Sequence, residues 1–184
     1  MSETSDVMDA TPTVTDGRVL RGERTRGRIA ASLLGLLDDG VLAPTAAQIA
    51  ERAGVSVRSV FQHFSDMEAL YEELAAAQRD RIAPLVESVQ RPESLDGRID
   101  ALVAGRSALF ETIAPVRHAV AGRAAGSPAL QQRLVELASV LRTQVAQQFD
   151  PELGTMPARR RAEVLALADL LCSFESWDRL RVVQ

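Results

Sequence analysis

The stretch IAERAGVSVRSVFQHFSD, Ile49 to Asp66, closes one short helical pattern and opens another with only Gly54, Val55 and Ser56 between them. Just upstream, Thr45 is followed three residues later by Gln48, a capping box in which each residue bonds the other's backbone N–H, so a helix should begin at Ala46. Gly54 should end it, because glycine takes the left-handed conformation of a sharp helix exit without strain. Ser56 can cap the next helix, over Val57 to Phe64. With Ala46 counted as position one, Ala50 falls at five, Gly54 at nine and Val60 at fifteen. A helix-turn-helix needs a small residue, a glycine and a branched apolar residue at those places. The first lets two helices cross closely, the second turns the chain, and the third packs the second helix onto the first.

Projecting Val57 to Phe64 at about 100° per residue separates two faces. Val57, Val60, Phe61 and Phe64 cover the core side and its edge. Arg58, Ser59 and Gln62 lie opposite, with His63 at the flank. Arginine and glutamine can bond guanine and adenine edges bidentately in the major groove. Ser59, His63 and the capped helix start at Thr45 suit phosphate oxygens, which position a protein without reading sequence. The implied partner is double-stranded DNA.

Charge follows the same division. The whole chain carries −4 with a pI near 5.3, which taken alone argues against nucleic acid. Yet Arg18 to Phe64 holds seven arginines against four acids, while Met1 to Gly17 holds four acids and no base. A locally basic module on an acidic body can bind phosphate through one end. Only 4% of residues are aromatic, and few segments alternate Val, Ile and Thr, so the expected fold is all-α. The single cysteine, Cys172, excludes an internal disulfide and any multi-thiolate zinc site, and reads as a buried inert thiol. No signal-peptide pattern opens the chain, and no apolar run approaches the roughly 18 residues of a membrane span. The expected setting is the cytoplasm, with no membrane partner.

Three regions follow. Residues 1–17 read as a disordered acidic arm and residues 18–65 as the helix-turn-helix domain, whose first helix runs over about Arg21 to Asp39. Residues 66–184 read as a second helical domain. Ser65 and Glu68 form a capping box that opens a long fourth helix towards Gln90. Leu95 to Ala114 is a helix stopped by Pro115, followed by a short one over Val116 to Ala125. Ser127-Pro128 opens a helix to about Phe149, Asp150-Pro151 and Leu153-Gly154 break the chain, and a last helix spans Pro157 to Val182.

From about Arg24 to Leu74 the sequence resembles the DNA-binding domain of the tetracycline-repressor (TetR) family, through the Ile49-Ala50…AGVS turn, the VFQHF recognition helix and the capped fourth helix. The resemblance implies an Ω-shaped, all-helical homodimer. Its three-helix N-terminal domain would be joined by a long helix to a C-terminal domain for dimerisation and ligand binding. It further implies a repressor of a palindromic operator, released by a small-molecule effector, with no cofactor. The family's DNA-contacting positions fall on Thr45, Val57, Arg58, Ser59, Phe61, Gln62 and His63. Phe61 replaces the usual tyrosine and Met67 a usual lysine, each removing a phosphate contact that Arg24, Arg26 and Arg28 are placed to replace. Two C-terminal helices per subunit form the family's dimer interface, and this chain reaches Gln184 within or just after the first, which points to a truncated or a naturally shortened chain and to a weakened or rearranged dimer. Those departures keep a second reading open, a helical ligand-binding or interaction module without operator binding.

Phe110, Phe174 and Trp177 are candidates for an effector pocket, with core or dimer packing as the equal alternative. His118 has no neighbouring ligand to share a metal with, and Arg159 to Arg161 read as a solvated helix start. No Ser-His-Asp set, carboxylate pair or glycine-rich phosphate loop is recognisable, so an enzyme is not expected.

Overall fold

Gly54 takes φ 63° and ψ 39° and ends a helix in the left-handed conformation that its position demands. The computed structural model to which it belongs describes residues 14–121 and 127–182, among which there are nine helices and no strand. They are α1 (Val14–Asp38), α2 (Ala46–Ala53), α3 (Val57–His63), α4 (Met67–Glu87), α5 (Leu95–Ala121), α6 (Pro128–Gln148), α7 (Asp150–Leu153), α8 (Ala158–Leu171) and α9 (Phe174–Val182).

Two clusters of buried side chains organise these helices. The first joins Ile29, Leu33 and Leu37 of α1 to Ile49, Ala50 and Ala53 of α2 and Val60 of α3. It does not stop at the end of the helix-turn-helix. Leu70, Tyr71 and Leu74 of α4 belong to it, as do Val116, Ala119 and Val120 of α5 and Leu130 of α6. The second cluster is built from Ile82 of α4, Leu109, Phe110 and Ile113 of α5, and Leu141 of α6, with Phe174 and Trp177 packed against it. Both α4 and α5 contribute to both clusters. Polar bridges hold the second: the buried Arg106 donates to Gln144 Oε1 at 2.6 Å and to the Leu141 carbonyl at 2.8 Å.

Several elements differ from the sequence expectation. α1 begins at Val14, so residues 14–17 are helical rather than part of an arm; residues 1–13 lie outside the described residues. The cap of α4 is Asp66, not Ser65. Asp66 Oδ1 accepts from the Ala69 N–H at 2.8 Å, and Ser65 Oγ donates to Asp66 Oδ2 at 3.1 Å. Those two bonds hold the Asp66 carboxyl below its usual range, the Ala69 amide being the larger cause.

Pro115 does not stop α5, which runs unbroken through it. The proline removes one N–H and crowds the preceding turn, at a cost of about 3 kcal/mol. Ile113, Val116, Ala119 and Val120 are buried on both sides of it, and each large apolar side chain fully buried contributes about 1.5–3 kcal/mol. Burial wins. The second short helix expected from Val116 is therefore the end of α5, and residues 122–125 of it lie outside the described residues.

Asp150 to Leu153 form one helical turn rather than a simple break. The last long helix is in fact two. After α8 ends at Leu171, Ser173 Oγ accepts from the Ser176 N–H at 3.2 Å and restarts the chain as α9. The change of direction brings Phe174 and Trp177 onto Phe110.

Gly54→Ala is expected to lower stability by about 1–2 kcal/mol, because no atom opposes an added Cβ and the cost is the left-handed backbone alone. Urea unfolding checks this; an unchanged midpoint would mean the turn does not depend on that conformation.

Candidate nucleic-acid interface and interhelical cavity

The interface begins with caps. Thr45 and Gln48 form the expected capping box: Thr45 N–H donates to Gln48 Oε1 at 2.9 Å, and Thr45 Oγ1 accepts from Gln48 N–H at 3.3 Å. Ser56 Oγ accepts from Ser59 N–H at 3.1 Å and starts α3. Ala50, at 2% exposure, sits in the crossing, and Val60, at 1%, packs α3 back onto α2. Ala50 and Val60 are thus buried between α2 and its neighbours, and Gly54 makes the turn between the two helices.

The outer face of α3 is where the expectation is refined. Val60 and Phe64 are buried, but Val57 and Phe61 are 42% and 49% exposed. A helix of only seven residues meets its neighbours along a narrow line. Val57 and Phe61, one turn apart, lie to the side of that line rather than under it. Arg58 and Gln62 are exposed, while Ser59 and His63 are half-buried at the edges. One end of the molecule therefore presents Val57, Arg58, Phe61 and Gln62 as a contiguous exposed surface, flanked by Ser59 and His63, with the exposed Thr45 on the adjoining helix start.

Arg26 holds that surface in place, a role its position in sequence did not suggest. Its Nε and Nη2 lie 2.9 and 2.8 Å from Glu73 Oε2 on α4. Its Nη1 donates to the His63 carbonyl at 2.8 Å, and its guanidinium sits 4.3 Å over the Phe64 ring. One side chain of α1 thus ties the C-terminal end of α3 to the start of α4, satisfying one of the carbonyls a helix end leaves open. Its guanidinium is committed to Glu73 and the His63 carbonyl. Arg24 and Arg28 remain exposed on α1. Met67 packs against the first core cluster rather than facing solvent as a charge would. No periodicity could have shown the Arg26 clamp, because its partners lie 37 and 47 residues away in the chain.

The second feature is a cavity of about 400 Å³ between α4, α5 and α6. Its walls are mostly aliphatic. Ile82 and Ile113 come from the second core cluster, whereas Val116, Val120 and Leu130 come from the first. The cavity therefore lies on the seam between the two clusters. Gln78 also lines it and is 5% exposed.

Phe110, Phe174 and Trp177 come together elsewhere. Each pair of rings lies 5.7 Å apart between centroids, in edge-on or tilted contact. They close α9 onto α5, and none of the three lines the cavity at the seam. His118 Nε2 lies 3.0 Å from Asp178 Oδ1 across the same junction. Cys172 is half-buried rather than buried, and burial pushes its thiol pKa up. Arg159 and Arg160 stand near Glu163, at 3.1 and 3.7 Å, on an exposed helix start.

Residues 36–74 match the profile of the bacterial regulatory proteins of the tetR family. Among solved structures, a transcriptional regulator from Rhodococcus sp. Rha1 is similar at 28% identity and a TM-score of 0.57, over 80% of this chain and 81% of that one. A candidate transcriptional regulator from Streptomyces coelicolor A3(2) shares the fold at 24% identity and a TM-score of 0.57, over 81% of this chain and 85% of its own. A candidate tetR-family regulator from Mesorhizobium loti shares it at 19% identity and a TM-score of 0.54, over 83% and 95%. No curated protein matches the sequence.

Arg26→Ala is expected to destabilise the chain by about 1 kcal/mol, the value of charge-assisted bonds discounted for their partial exposure. Urea unfolding would detect it; equal stability of the two proteins would show that the clamp is idle.

Proposed function

We propose that this chain, a TetR-family transcriptional regulator, works as a homodimeric repressor that reads a palindromic operator through α3 and releases it when a small molecule occupies the cavity between α4, α5 and α6. The observation that carries the reading is the continuity of the first core cluster. The residues under α3 and those lining part of the cavity belong to one packed body.

Arg58 and Gln62 are the base-reading candidates, being exposed, able to make bidentate bonds and mounted on a short, capped helix. Ser59, His63 and the Thr45 end of α2 would hold phosphates. Val57 and Phe61 offer apolar surface for thymine methyl groups or sugars. With no hydroxyl on Phe61 and no charge at residue 67, Arg24 and Arg28 on α1 are the arginines left to supply electrostatic attraction.

Dimerisation is supported by α8, which buries no residue within one chain. Leu167, Leu170 and Leu171 are 58%, 61% and 74% exposed and recur at the spacing that puts them on one helix face. A contiguous leucine surface of this kind is what a second copy would cover. Two copies would present two α3 helices to two half-sites, with spacing set by the distance between them. No described helix is long and apolar enough to cross a membrane, and a protein that works on DNA would do so in the cytoplasm.

An occupant of the cavity would press on Val116, Val120 and Leu130, which also pack against the helix-turn-helix body. Packed cores shift as units rather than deforming smoothly, so the occupied and empty states would hold α3 at different separations in the dimer. An effector that binds the non-operator state better then lowers operator affinity by that difference.

Selection of random duplex DNA by the purified protein at moderate salt is expected to enrich a palindrome. Arg58→Ala should then weaken binding to it by about 1–3 kcal/mol and relax preference at one base pair of each half-site. Absence of any enriched sequence, or full affinity and preference in the variant, would contradict the assignment.

A further inference from the structure

Among the buried residues that line the cavity, Gln78 alone is polar. Gln78, on α4, donates through Nε2 to the Thr112 carbonyl of α5 at 3.1 Å. That bond fixes which end of the amide is which, since the oxygen would repel the carbonyl. Gln78 Oε1 is shut off from solvent and has no hydrogen-bond partner among the described residues. A buried acceptor without a donor is costly, and native interiors rarely leave one unpaired. Gln78 lines the cavity, so this unpaired oxygen belongs to a side chain at the cavity wall.

The charges around the cavity do not call for an ion. Arg117 is paired with Glu175 and lies 4.7 Å over the Phe174 ring. The remaining lining arginines, Arg79 and Arg133, are matched in number by Glu87 and Glu136. Apolar walls of this extent also disfavour a charged occupant, which would lose its hydration without a partner.

We propose that the cavity takes a neutral, largely aliphatic molecule bearing a hydrogen-bond donor, and that Gln78 Oε1 is the acceptor that selects it. The inference rests on the reading of this cavity as the effector site and adds the chemistry of the effector: a hydroxyl or N–H on an apolar body. It follows that an otherwise similar molecule carrying only an acceptor is rejected, because it leaves Gln78 Oε1 unpaired and buries its own oxygen as well.

Two isomers provide the test. Octan-1-ol and 1-methoxyheptane have the same atoms, but only the alcohol donates. Calorimetric titration of the full chain is expected to show the alcohol binding about tenfold more tightly. In Gln78→Leu the two isomers should bind alike; Gln78→Met, unbranched and of similar length, serves if the leucine variant does not fold. Equal binding of both isomers to the unmodified protein, or a preference for the alcohol that survives in the folded variant, overturns the role of Gln78 while leaving the effector site standing. Binding of neither isomer overturns the effector reading of the cavity itself.

Discussion

Leu70, Tyr71 and Leu74 are buried in the core beneath the helix-turn-helix, while one to two turns further along α4 Gln78 and Ile82 are buried in the second domain. One continuous helix therefore has both ends embedded. Neither end can shift without displacing side chains in a close-packed environment at the other. The C-terminal part of α5 and the start of α6 reinforce this, since Val116, Ala119, Val120 and Leu130 complete the same core as Val60 of α3. The first core cluster thus runs from the helix-turn-helix into the helices that follow it.

The exposed surface of α3 depends on that body because α3 is too short to hold itself. Seven residues make fewer than two complete turns of mutual support, and isolated helices of that length are unstable in water. Ser56 fixes its start, Val60 and Phe64 anchor its underside, and Arg26 takes the His63 carbonyl at its end while bonding Glu73 on α4. Every one of these restraints leaves the outward side chains Arg58 and Gln62 untouched. A surface that is rigid beneath and polar above loses little conformational freedom on binding, the condition for base discrimination by few contacts.

Much of this was legible in the sequence because it is local. The caps at Thr45 and Ser56, the turn at Gly54 and the packing positions Ala50 and Val60 all act within a few residues, and spacing reveals them. The start and continuation of helices was harder. Pro115 looks like a stop unless the burial of Ile113, Val116, Ala119 and Val120 around it is known, and burial is a long-range property. Ser173 and Ser176 carried a readable signal for the break between α8 and α9, masked by the apolar residues on either side. Phe110, Phe174 and Trp177 do come together, yet the cavity lies beside other residues, because in one dimension a core stripe and a cavity wall have the same period. The arginine clamp and the unpaired oxygen of Gln78 were illegible for the same reason: each is defined by partners, present or missing, far away in the chain.

The proposed coupling between cavity and operator can be examined without knowing any effector. Ala83, on α4, lines the cavity and is half-buried, so Ala83→Phe would fill part of the space from inside while leaving α3 and its caps unchanged. Operator affinity of this variant, measured on the selected palindrome beside the unmodified protein, tests the shared core most directly. The account predicts a folded protein whose affinity falls by about tenfold, the middle of the range for coupled sites, with the same dependence on salt because the phosphate contacts are intact. A folded variant that binds the operator as tightly as before would contradict it, showing that the cavity and the recognition helix do not communicate.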